Sequence, residues 1–204
     1  LMLILFALII RGVAFEFRDK IESSAWKRVW DTCIFIGSVT PAILFGVAFA
    51  NIFQGIPFDG NGVFHGSLVT LLNPFGVFGG VVFLLLFMVH GALWLCIRTT
   101  GELQQRAINI ANKLWPVLLL FTVTFVLSSR FVTNLFSNYF ENPLLFIVVV
   151  LTVASLGSVK YFLKKERYYS AWFGSAGTIA GATFFGIIGL FPTLFPSSID
   201  YAFS

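Results

Sequence analysis

Two histidines and a few carboxylates are most of the titratable chemistry in this sequence. His90 is the one titratable group well inside a long apolar run. It stands eight residues before Arg98, roughly 12 Å from the nearer helix end at ~1.5 Å per residue. A polar group at that depth is a functional candidate by default. Three roles stand open: a haem ligand, a proton or quinone contact, or a neutral imidazole bonded to a neighbouring helix. Glu16 lies between Phe15 and Phe17, with Arg11 and Arg18 close by. A carboxylate so placed could hand protons from water into a helical bundle. Asp19, Glu22 and Asp31 sit among the same basic residues and read first as charge balance. Arg11, Glu16, Asp31 and His90 are therefore the candidates for a proton path. His65 and Asp59 fall in a glycine-bearing connector, 54–73, with no chemistry to assign.

The signatures of self-sufficient enzymes are missing. There is no nucleophile elbow, P-loop, dinucleotide fingerprint or His-Glu-x-x-His run. Two histidines cannot supply a bis-His haem together with a metal site, so no catalytic or metal-ligating residue is assigned. Cys33 and Cys96 have no metal-type spacing and read as inert apolar packing.

The elements that must position these groups follow from hydropathy. The chain is 58% hydrophobic and only 11% charged, with a mean hydropathy of +0.92; soluble domains carry roughly 25% charged residues. Segments 32–58, 60–97, 114–129, 142–159 and 168–199 contain no Asp, Glu, Lys or Arg. A charge at the centre of a bilayer costs about 2.5–3.5 kcal/mol on insertion scales, so these gaps predict membrane spans at 29–53, 74–97, 114–129, 143–163 and 168–191. The third is short and should extend toward 133. Residues 1–10 are apolar but too few to span, and no initiator Met precedes them, so the chain reads as a fragment opening inside a truncated helix. The expected fold is an all-α multi-pass transmembrane bundle, 1–204, forming one integral-membrane domain of a larger bundle.

Basic residues set the orientation. Regions 11–28, 98–113 and 160–167 hold twelve of the thirteen Lys and Arg, and Arg130 alone falls on the other side. The positive-inside rule places those three loops in the cytoplasm. The same clustering between apolar runs argues against a nucleic-acid partner despite the net charge of +4. Trp26, Trp30, Trp94, Trp115 and Trp172 all lie near inner span ends, as in an aromatic belt. Asn73-Pro74 and Asn142-Pro143 each begin a span with an N-cap and a proline at the first helical position; their recurrence 69 residues apart hints at a repeat. Gly177 and Gly181 permit close helix approach, either within the chain or to a partner subunit.

These runs resemble a known family. Arg11-Gly-Val-Ala-Phe-Glu-Phe-Arg18, Trp30-Asp31, Phe35-Ile-Gly-Ser38, Gly46-Val-Ala-Phe49, Gln54-Gly-Ile-Pro-Phe58, Leu71-Leu-Asn-Pro-Phe-Gly76, Arg98-Thr-Thr-Gly-Glu-Leu103 and Phe195-Pro-Ser-Ser198 occur in an order similar to that of cytochrome bd-type quinol oxidase subunit II. The resemblance implies a bacterial cytoplasmic-membrane complex that oxidises quinol and reduces O2 to water. It implies that subunit I binds haems b558, b595 and d, and that subunit II ligates none but supports proton and oxygen access and complex integrity. A structural quinone and a small single-helix subunit are further expected partners, besides quinol and the lipid membrane. Glu16 occupies the family's acidic motif position, after Arg11, which strengthens its proton role. The family's N-terminal helices, with a His-Trp-Asp-Gly-type segment, and its last helix are missing from this sequence, and His90 stands where relatives can carry Gln. A permease or channel-like transporter is the alternative, weakened by the lack of midplane charge; a purely structural scaffold is a third.

Overall fold

The computed structural model of the chain describes residues 1–193 and 195–199. Among these it contains helices and no named strand. In chain order the elements are α1 (Met2–Phe17), α2 (Ser24–Gln54), α3 (Leu68–Leu71), α4 (Pro74–Arg98), α5 (Gly101–Val132), α6 (Ser137–Glu141), α7 (Phe146–Lys164) and α8 (Tyr168–Leu190). Five of the helical stretches, Ser24–Gln54, Pro74–Arg98, Gly101–Val132, Pro143–Lys164 and Tyr168–Leu190, are long and apolar enough to cross a membrane. Their flanks remain bare: Leu120, Val150 and Phe173 are each more than 60% exposed, a surface suited to hydrocarbon rather than water.

The loops expected at 11–28, 98–113 and 160–167 are largely helical. α1 runs on through Arg11 and Glu16, α2 begins at Ser24, and only Thr99 and Thr100 separate α4 from α5. Hydropathy reports which residues can cross hydrocarbon, not where a helix stops. Residues 101–113 are rich in helix formers, and Glu102 and Arg106 form an i,i+4 pair at 2.6 Å in the favourable order. At ~1.5 Å per residue the 32 residues of α5 measure roughly 48 Å, well beyond the ~30 Å of hydrocarbon. The start of α5 therefore stands clear of the bilayer.

α4 is the hub, packing on α2, α5 and α8. Its face Leu86, Val89 and Leu93 meets Ala111 and Leu118 of α5, Val159 of α7 and Ala171 of α8 in the main core. With no hydrophobic force to drive helices together in lipid, close packing must do so, and glycine supplies it. A methyl group at Gly46 of α2 would lie 2.7 Å from the Gly80 Cα of α4, and one at Gly181 of α8 would lie 3.0 Å from the Thr152 Cβ of α7. Gly177 likewise faces Ser155. The Gly177/Gly181 face is thus used within the chain.

Two ends of the bundle result. The basic end holds the end of α1, the start of α2, the α4–α5 link and the α7–α8 turn; the far end holds the remaining connections. At the far end the Asn73 side chain accepts from Gly76 N–H, with Pro74 opening α4, as the sequence predicts. Asn142 likewise caps, accepting from Leu144 N–H, with Pro143 opening a 3-10 turn, Pro143–Leu145, that leads into α7.

Candidate functional site

Three of the four proton-path candidates lie where α1 meets α2 at the basic end. The α1 helix carries Arg11 and Glu16, and the close passage of Gly37 past Arg11 Cβ and Ala7 O lets α2 lie against it. The junction is fixed by a two-pronged bond: Arg18 donates through Nε to Asp31 Oδ1 at 2.6 Å and through Nη2 to Asp31 Oδ2 at 3.4 Å. It also donates to Asp19 at 3.0 Å. The bonded Asp31 carboxylate raises the Arg18 guanidinium further above its ordinary value. Trp26 Nε1 donates to Phe17 O at 2.8 Å, and the Trp30 ring stacks on Phe17 at 5.7 Å, closing the corner.

Glu16 is left outside this clasp. Among the described residues it pairs with Lys20 alone, one turn on, at 3.1 Å, and its side chain is 70% exposed. Glu16 and Asp31 therefore belong to separate pairs, one on Lys20 and one on Arg18. An exposed pair of this kind contributes about 0–1 kcal/mol and leaves the carboxylate reachable from water.

His90 stands apart, on α4. Its Nδ1 lies 2.6 Å from Ser175 Oγ of α8, and Trp172 lies against the ring at 5.1 Å. Ser175 in turn donates to Trp172 O at 2.8 Å. Below it Trp94 meets Trp172 at 5.5 Å and carries Arg98 over its face at 4.7 Å. The imidazole is thus a bridge between two helices. Ser175 engages one ring nitrogen and so fixes the orientation of the ring, and the Trp172 indole occupies one flank. Neither main cavity, one at the far end and one under the α7–α8 turn, is lined by His90. Among the described residues no three His, Cys, Asp or Glu gather as a metal site.

The sequence gives no local sign of Ser175, the partner of His90; it is one of several small polar residues in an apolar helix. Tyr139 was missed too. It is fully buried at the far end, its hydroxyl donates to Phe185 O at 2.8 Å, and burial pushes its phenol up to about 12. His65 and Asp59, assigned no chemistry, form a pair at 2.8 Å across the tip of the 55–66 loop. A cavity of about 790 Å³ opens beside Arg130, Asn134 and Asn138 at this end.

The family model for cytochrome bd terminal oxidase subunit II matches residues 1–203. The chain belongs to that family. A cytochrome bd ubiquinol oxidase subunit 2 from Bacillus subtilis is 34% identical over 203 residues, covering 98% of this chain and 59% of its own length. A probable cytochrome oxidase subunit 2 from Haemophilus influenzae is 34% identical, covering 97% and 60%. The cytochrome bd-I ubiquinol oxidase subunit 2 of Escherichia coli K12 is 43% identical over 110 residues, 52% of this chain and 29% of its own length. The chain thus spans about three-fifths of the first two relatives. Membership in the subunit II family displaces the permease reading.

Several of the runs that suggested subunit II lie at joints. Leu71–Gly76 holds the Asn73 cap. Gln104, just past Arg98–Leu103, donates to Cys96 O at 2.8 Å and so closes the end of α4. Gln54–Phe58 and Phe195–Ser198 meet although some 140 residues apart: Ile56 N–H donates to Pro196 O at 2.9 Å and Ser198 N–H to Ile56 O at 3.1 Å.

Proposed function

We propose that this chain serves as the subunit II part of a bacterial cytoplasmic-membrane oxidase that oxidises quinol and reduces O2 to water. The observation that carries this reading is the family match over residues 1–203. In this reading the chain is one integral-membrane unit of a larger bundle, and haems b558, b595 and d reside in subunit I. Quinol is the substrate of the assembled complex. A quinone held as a structural lipid and a small single-helix subunit complete the partners.

The basic end faces the cytoplasm, in keeping with the positive-inside rule. Reduction of O2 to water consumes protons as electrons arrive, so a route from the cytoplasm is needed. Glu16 is the residue assigned to its mouth: exposed, at the end of a helix that packs into the bundle, and outside the Arg18–Asp31 clasp. Arg11, one to two turns deeper on α1 and against Gly37 of α2, supplies positive potential further in, and Asp31 fixes the corner. His90 enters this scheme only as a later contact on α4.

The test uses the assembled complex. Glu16→Gln slows O2 consumption several-fold while the haem absorption bands stay intact; unchanged turnover would remove Glu16 from the route. The optical spectrum of the same preparation tests the family reading itself, since a complex without haem d or high-spin b bands is not an oxidase of this kind.

A further inference from the structure

The inner ends of α5 and α7 carry charge that no carboxylate pairs with among the described residues. These two helices pack only lightly on each other, and their basic-end seam is held by two polar links. Trp115 Nε1 of α5 donates to Leu156 O of α7 at 3.0 Å. Lys160 Nζ of α7 donates to Asn112 Oδ1 of α5 at 2.8 Å and lies 5.8 Å from the Trp115 ring centre. Lys160 is half-buried. Lys164 follows it one turn later on the same helix face, and Lys113 adjoins Asn112. Like charges at i,i+4 repel.

Elsewhere at this end Arg18 has Asp19 and Asp31, Lys20 has Glu16, and Arg106 has Glu102, while Arg28 turns to the Ser24 carbonyl and Arg98 to the Trp94 ring. Among the described residues Lys113, Lys160 and Lys164 have no carboxylate partner, nor have Lys165, which turns to the Tyr161 hydroxyl, and Arg167. Glu166, in the turn after Lys165, pairs with none of them. α5 and α7 run antiparallel, so from the level of Asn112 and Lys160 α7 ends four residues on. α5 continues eleven residues, to Gly101, overhanging by roughly 10 Å at ~1.5 Å per residue. The cations thus line a notch under a helical ledge, at the depth where Trp115 marks the membrane interface.

We propose that this notch binds the phosphate of an anionic phospholipid, with Lys160 as its innermost contact, Lys113 and Lys164 flanking the headgroup, and the acyl chains lying along the bare α5–α7 flank. Basic recesses between transmembrane helices on the cytoplasmic side are suited to such headgroups. The hydrocarbon continuity of that flank, with Leu120 and Val150 exposed above, selects a lipid over a soluble anion. The site goes beyond the oxidase reading and rests on the basic end lying at a membrane surface.

The test is native mass spectrometry of the assembled complex titrated with phosphatidylglycerol, against phosphatidylcholine as the neutral probe. The wild type retains phosphatidylglycerol selectively. K160Q, in which the glutamine can still bond Asn112, and K160Q/K164Q weaken retention by roughly fivefold per lysine removed. R106Q, which removes a solvated cation already paired with Glu102, leaves retention unchanged. Quenching of tryptophan emission by brominated phosphatidylglycerol places the lipid beside Trp115 and is lost in W115F. Equal retention by K160Q/K164Q and wild type overturns the proposal, as does an equal loss in R106Q, which would mean diffuse charge. Carbodiimide coupling of Lys160 to a carboxylate of another subunit also overturns it, because the notch would then belong to a protein contact. Haem bands in each sample keep failure of the lipid site distinct from failure of the oxidase reading.

Discussion

The two ends of this bundle are held by different chemistry. At the basic end, ion pairs and indoles join the helices: Arg18 grips Asp31, Trp26 and Trp30 cover Phe17, and Lys160 reaches Asn112. At the far end, neutral amides and backbone groups do the same work. Asn51 donates to Val47 O and Leu71 O, both at 2.7 Å, and accepts from Asn73 at 2.8 Å. Asn138 donates to Ile188 O and Phe191 O, and Gln54–Phe58 pairs with Phe195–Ser198. Where charge gathers, protons and anions can be exchanged with water. Where neutral groups make the joints, they can be rigid and indifferent to salt. The difference teaches that helices can be joined in hydrocarbon by either chemistry, and that most of the ion pairs among the described residues gather at the basic end.

The contrast can be broken experimentally, beginning where the far half is tightest. Gly46→Val drives a side chain into the Gly79–Gly80 backbone, an overpacking that costs about 1–3 kcal/mol or more; the thermal midpoint of the assembled complex should fall accordingly. Asn51→Leu fills similar space but leaves the Leu71 carbonyl and the Asn73 amide without their partner, costing about 1–3 kcal/mol. Hydrogen exchange should rise at 67–76 and stay unchanged at 18–31; an equal rise at both would dissolve the distinction between the ends.

Smaller effects sharpen the basic half. Ser175→Ala removes the His90 bridge, worth about 0.6 kcal/mol and at most ~1.7 for a hydrogen bond between membrane helices. His90→Gln should preserve every haem band; a lost band would make His90 a ligand and move the chemistry up the bundle. The smallest effect concerns a charged pair at the far end. The bond from His65 holds Asp59 below the usual carboxylate range, helped by the Val63 and Asn61 N–H groups. A depressed value means the folded loop favours the ionised form. That contribution is present above the ordinary Asp value and disappears as pH falls through the lower folded one. Proteolysis of 55–66 should therefore accelerate only below about pH 4, and Asp59→Asn should flatten the response.

Much of this architecture was legible in the residues. The charge-free gaps located five spans, because burying a charge in hydrocarbon is expensive wherever it falls. Asn73 announced its cap, because capping is local chemistry. The start of α5 escaped notice since helix propensity in 101–113 carries no apolar signature. The clasp of 54–58 on 195–198, and the burial of Tyr139 under Phe185, are long-range events written in no local pattern. The candidate site was half legible. Arg11, Glu16 and Asp31 do share one corner, but the sequence could not say that Asp31 answers to Arg18 while Glu16 answers to Lys20, nor that His90 leans on α8.

Only Thr99 and Thr100 join α4 to α5, with Gly101 turning the chain at φ 68°. A link so short has no slack: neither helix can tilt, slide or be withdrawn without its neighbour. The hub helix and one of its partners are therefore tied at the same end, and a displacement of either is passed directly to the other.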